Sequence, residues 1–117
     1  MSVKKYYSLA RQKLFPICRS ITGNGVRKTL KIIKKEFPKL KIYSVQSGTK
    51  VFDWNIPPEW NIKDAYILDK DNKKIVDFKN NNLHLVGYSV PINKFFSKKK
   101  LFNHIHTLAK QPKAIPY

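Results

Sequence analysis

The chain is 117 residues long, 42% hydrophobic and 13% aromatic, with 24 Lys and Arg against 7 Asp and Glu and a formal charge of +17. That length holds one domain or a piece of one, and the apolar content excludes wholesale disorder. A lone cysteine, Cys18, excludes a disulfide framework.

The opening "MSVKKYYSLARQKLF" contains no apolar run long enough for a signal peptide or a membrane span, so the expectation is a cytoplasmic chain with no membrane partner. Tyr6, Leu9, Ala10 and Leu14 recur at helical spacing, which predicts a first helix over Val3–Leu14 that Pro16 ends. A second helix is predicted from Gly25 to Phe37. Val26, Leu30, Ile33 and Phe37 fall on one arc, Arg27, Lys28, Lys31, Lys34 and Lys35 on the other, and Pro38 stops it.

Beyond residue 40 the period changes. "KIYSV", "KVFDW", "DAYILD", "KKIVDF" and "LHLVGYSV" are short β-branched and aromatic runs between turn-formers, and each is read as a strand. "DKDNKK" is read as a hairpin turn and "NIPPEWN" as a rigid corner. A last helix is predicted from an N-cap at Ser97 to about Ala109, with Lys98, Lys99 and Lys100 in its first turn. The order is helix, helix, five strands, helix: an α+β chain.

The segment "LFPICRSITGNGVRKTL" concentrates Cys18, two of the three arginines and two of the four glycines. It is not a Walker-type loop, because Arg27 rather than glycine precedes Lys28 and Thr29, and it is not a dinucleotide fingerprint, because Lys28 stands where a third glycine is needed. Two readings remain. Asn24 is a simple N-cap, or Asn24, Gly25 and Arg27 form a candidate anion contact at a helix start.

Cys18 lies next to Arg19, which favours a thiolate, but no oriented base is near in sequence, so a structural cysteine is expected. His104 and His106 are two apart on the expected helix and diverge, and His84 stands alone, so no metal site is expected. The carboxylates Asp53, Glu59, Asp64, Asp69, Asp71 and Asp77 include no evident catalytic pair. Trp54, Trp60, Tyr66, Phe78 and Tyr88 are read as core residues before a stacking platform, because they lie in the electrically neutral middle of the chain. Residues 1–41 carry +11, residues 42–90 zero and residues 91–117 +6.

Taken together, "LFPICRSITGNGVRKTL", "SGTKVFDWNIPPEWNIKDAYI", "IVDF", "NLHLVGYSVPIN" and "QPKAIPY" resemble the N-terminal part of a bacterial family described as aminopeptidase-like. Its members are larger, with a zinc-exopeptidase-type α/β domain, and are often linked with surface-polysaccharide gene clusters. The resemblance runs from about Leu9 to Tyr117. It implies that residues 1–40 are N-terminal helices of the peptidase-like domain. Residues 41–117 would then begin a small β-rich inserted domain and end in a short helix. It also implies zinc for the full-length family, although no residue here matches a family zinc ligand or catalytic acid. The resulting expectation is a catalytically incomplete N-terminal fragment or truncated member, partnered by the downstream domain or a split-gene product. The alternative is a basic RNA- or polyanion-binding module using Arg27, Lys28, Lys31, Lys34, Lys35 and Lys98–Lys100. Against that alternative, the scarcity of arginine beside abundant Lys, Asn and Ile also fits an A/T-rich coding sequence. A third possibility is a structural remnant whose exposed apolar faces favour aggregation.

Overall fold

The computed structural model describes residues 2–114. Helix α1 spans Val3–Leu9 and runs into a π-helical turn over Ala10–Leu14. The Phe15 amide reaches back five residues to the Ala10 carbonyl at 2.8 Å, the wide closure of a helix that is about to stop. Pro16, with no amide to donate, follows it. Helix α2 spans Asn24–Glu36 and returns antiparallel to α1, since Tyr6 stacks on Phe37 at 5.6 Å and Lys5 pairs with Glu36 at 2.5 Å.

The strand region is sparser than the sequence suggests. "KVFDW" is a tight hairpin, not one strand: β1 (Lys50–Val51) pairs antiparallel with β2 (Trp54–Asn55) across a reversal at Phe52 and Asp53. Phe52 takes a φ of 54°, which an alternating apolar pattern does not announce. The second hairpin forms as expected, with β3 (Tyr66–Leu68) against β4 (Lys74–Asp77). Its turn is built by Asp69, whose carboxylate accepts from the amides of Asp71 and Lys73, both at 2.9 Å, while Asn72 takes a φ of 59°.

Two expected strands are absent. "KIYSV" is irregular, and "LHLVGYSV" becomes a 3-10 turn over Asn82–His84 followed by a turn in which the Ser89 amide meets the Val86 carbonyl. Tyr88 has a φ of 62° there, so this run bends where an extended strand was expected. The last helix, α3, is capped by Ser97 as expected but covers only Lys98–Phe102. The chain turns at Asn103 and His104, so neither His104 nor His106 is helical.

A core of the usual kind is missing. Among the described residues no hydrophobic side chain is buried, and the buried side chain is a polar one, Thr29. Trp54, Tyr66 and Tyr88, expected in a core, are each at least 40% exposed. The surface is 10895 Å², where a compact 13.7 kDa monomer exposes about 6,600 Å². The radius of gyration is 18.0 Å, against about 13 Å for a compact domain of this length.

The β3–β4 turn therefore stands on local bonds. Asp69→Ala, which removes the acceptor of two amides, is expected to cost about 1–2 kcal/mol of hairpin stability, and Asp69→Asn to retain most of it. Amide exchange of residues 65–78 reads the difference.

Candidate functional site

The conspicuous built feature is a seam in which the segment Pro58–Asn61 closes the start of α2. Gly23 precedes the helix with a φ of 96°, a conformation that excludes most side chains, and a Cβ there would lie 2.5 Å from the Trp60 carbonyl oxygen. Gly25 is as constrained for another reason: its Cβ would meet the Cys18 carbonyl oxygen at 2.2 Å. The two glycines thus let three stretches of main chain converge. They are not phosphate-loop glycines.

Asn24 is not the N-cap. It is the first residue of α2, its side chain accepts from the Arg27 guanidinium at 3.0 Å, and Gly23 occupies the cap position without a side chain to offer. The cap comes from elsewhere in the chain. The Asn61 carboxamide oxygen accepts from the Asn24 amide at 2.7 Å, satisfying one of the orphan donors at a helix start. Arg27 makes a two-pronged contact with Glu59, through Nη1 to Oε2 at 3.0 Å and Nη2 to Oε1.

Further bonds extend the seam. The Thr22 hydroxyl donates to the Pro58 carbonyl at 3.2 Å, so its 2.7 Å bond with Tyr88 is donated by the phenol. The Trp60 indole donates to the Ser89 carbonyl at 3.0 Å, and the Trp60 and Tyr88 rings lie 6.1 Å apart. Arg19 reaches back to the Leu14 carbonyl at 2.7 Å and to the Thr29 hydroxyl at 3.4 Å. Both arginines of the motif are therefore structural ties. Asn24, Gly25 and Arg27, the candidate anion contact, lie together in the first turn of α2, with the Asn24 amide held by Asn61 and the guanidinium by Glu59. An external anion would have to displace both.

A cleft of about 240 Å³ lies beside the seam, lined by Cys18, Arg19, Asn24, Trp60, Asn61 and Lys63 among others. Burial pushes the Cys18 thiol above its ordinary value, which disfavours the thiolate. Among the described residues no three His, Cys, Asp or Glu side chains come together to hold a metal ion, so these residues do not fit a zinc centre. No helix among them is long and apolar enough to cross a membrane. Sequence reasoning missed Asn61 and Glu59 because a cap donated from 37 residues away leaves no local signature.

Two outcomes test the seam. Asn61→Ala is expected to cost about 1 kcal/mol as a lost helix cap, and Asn24→Ala clearly less; the reverse order in denaturant melts would contradict the assignment. The second is a pH dependence. Hydrogen bonds from Arg27 hold the Glu59 carboxyl below its ordinary value, and the Lys79 amide, then Lys74, do the same for Asp77. A carboxyl lowered on folding stabilises the fold above its unfolded-chain value, and this is lost as pH falls through the folded value. The melting temperature should therefore drop as pH falls from about 5 toward 3, and Glu59→Gln should flatten part of that slope. An unchanged slope would remove Glu59 from the account.

Comparisons with known proteins agree with the family resemblance. A family model described as a domain of unknown function, DUF2172, matches residues 59–117. A Clostridium acetobutylicum protein, provisionally named as a polysaccharide biosynthesis protein with an aminopeptidase-like domain, is 56% identical over 106 residues, covering 91% of this chain and 24% of its own. A crystal structure from the same organism, of a protein provisionally named as a peptidase, superposes with a TM-score of 0.87 at 54% identity, over 92% of this chain and 25% of that one. The chain thus spans about a quarter of the length of the relatives it matches. It belongs to the DUF2172 family, and its likeness to the curated Clostridium protein falls in the N-terminal part of that aminopeptidase-like protein.

Proposed function

We propose that this chain is the N-terminal scaffold portion of an aminopeptidase-like metallohydrolase, and that it supplies structure to the enzyme while the hydrolytic groups reside in the portion it does not include. The observation that carries this reading is the absence of any buried hydrophobic side chain among the described residues, together with a surface about 4,000 Å² beyond that of a compact monomer. A Clostridium protein about four times as long adopts the same arrangement at a TM-score of 0.87, which supports the open shape as that of a part within a larger protein. In this reading the helices of residues 1–40 belong to the peptidase-like domain and residues 41–117 open the β-rich insertion. The Asn24–Asn61 and Arg27–Glu59 contacts join the two. A cytoplasmic location belongs to the same reading, with Cys18 kept as a thiol.

Zinc, implied by the family, has no place among the residues described here, and no catalytic step is derived through it. What this chain's own residues do is hold α2, the 58–61 corner and the 86–89 turn in a fixed relation. The downstream portion would pack against that frame.

Complementation tests the reading. This chain is produced together with the part of the Clostridium relative that lies beyond the match. The expected result is a one-to-one complex that hydrolyses aminoacyl arylamides and loses activity to a chelator, with neither piece active alone. A chain that remains monomeric beside that piece and binds RNA or an anionic polysaccharide with steep salt dependence would overturn the reading.

A further inference from the structure

The segment Lys41–Val45 has the composition of a strand and none of the bonding of one. It reads Lys-Ile-Tyr-Ser-Val, with Ile42, Tyr43 and Val45 exposed to 42%, 81% and 59%. None of its main-chain amides or carbonyls makes a hydrogen bond to another described residue. Yet it is fixed at both ends. The turn in which the Leu40 amide meets the Phe37 carbonyl precedes it, and the base of the first hairpin, with Gly48 bonded to Ile56, follows it. An exposed β-prone run with unpaired main chain is a template for pairing.

We propose that Lys41–Val45 pairs as a β-strand with a sheet edge in the downstream portion of the family polypeptide. This deepens the proposed function and rests on it. In a paired strand Tyr43 and Val45 share one face and Ile42 and Ser44 the other, so both faces carry an apolar side chain. Such a strand fits a sheet covered on both sides, as in α/β domains, and not the solvated edge of a small hairpin.

Charge and area choose the occupant. A second copy would set one chain of formal charge +17 against another. Within the chain, Glu36, Glu59, Asp64, Asp71 and Asp77 are already engaged in ion pairs. Self-pairing is therefore opposed by repulsion that few free acids can offset. The surface in excess of a compact monomer, about 4,000 Å², also exceeds what a standard two-protein interface buries, about 1,200–2,000 Å² in total. That scale is one of domain completion, matching a relative in which three quarters of the polypeptide lies outside this match.

Hydrogen exchange on the reconstituted pair decides it. Amides of residues 41–45 should exchange at unprotected rates in the chain alone and about 100-fold more slowly in the complex. Ser44→Pro removes an amide that makes no bond within the chain. It should leave the circular dichroism of the chain unchanged and weaken the complex at least about tenfold, as loss of a ladder bond and a strand-compatible residue implies. If a complex forms while residues 41–45 stay unprotected, the strand pairing is wrong and the scaffold reading stands. Protection that grows with concentration in the chain alone would assign the segment to a second copy and overturn the proposal. If no complex forms, both fall together.

Discussion

The first turn of α2 has no cap of its own, and the chain solves this with a side chain from 37 residues away. Gly23 contributes only its main chain, Asn24 turns its side chain to Arg27, and the Asn61 carboxamide closes the helix start. This constraint orders much of what surrounds it. It demands that the 58–61 corner lie across the helix, which in turn demands a position without a Cβ at Gly23, while Gly25 lets the 18–19 main chain approach from the other side. With the corner in place, Trp60 can reach the 86–89 turn and Thr22 can bridge Pro58 and Tyr88. The prolines at 57 and 58 stiffen the approach, which lowers the entropy lost in holding it there.

The energetics of this seam are polar and specific. They set how segments sit but do not supply the hydrophobic gain that normally stabilises a domain. Here that gain is largely unrealised, because Val3, Tyr43, Phe52, Val90 and Phe95 are each more than 70% exposed. Exposed apolar surface in excess of the ordinary is what an interface leaves open when its partner is absent. The polar seam and the missing core are complementary observations: in the proposed reading the seam pre-arranges a surface that the downstream portion covers. The basic charge is consistent with that, since five ion pairs engage only a minority of the 24 Lys and Arg side chains among the described residues.

What was legible in the sequence follows from how local each cause is. Both long helices, the Pro16 stop, the Ser97 cap and the Asp69–Asn72 hairpin were readable, because their determinants lie within a few residues of one another. α3 ran shorter than its apolar spacing suggested, ending at Phe102 with none of its residues buried. "KVFDW" failed as a strand because Phe52 adopts a left-handed conformation that only turn geometry reveals, and "LHLVGYSV" failed because Tyr88 does the same. "KIYSV" looks like a strand and has no neighbour paired with it among the described residues. The seam was half legible: its glycines and Arg27 stood out, while Asn61 and Glu59, which give them meaning, sit in an unremarkable corner sequence.

The central claim is that the exposed apolar face of this chain is an internal interface of a larger aminopeptidase-like protein. Isothermal titration of the chain with the complementary portion of its Clostridium relative, repeated across temperature, tests it most directly. Burial on this scale should give association with a negative heat-capacity change on the order of −1 kcal/mol/K. No association, or association with a heat-capacity change near zero, would mean the apolar face stays in water and would contradict the account.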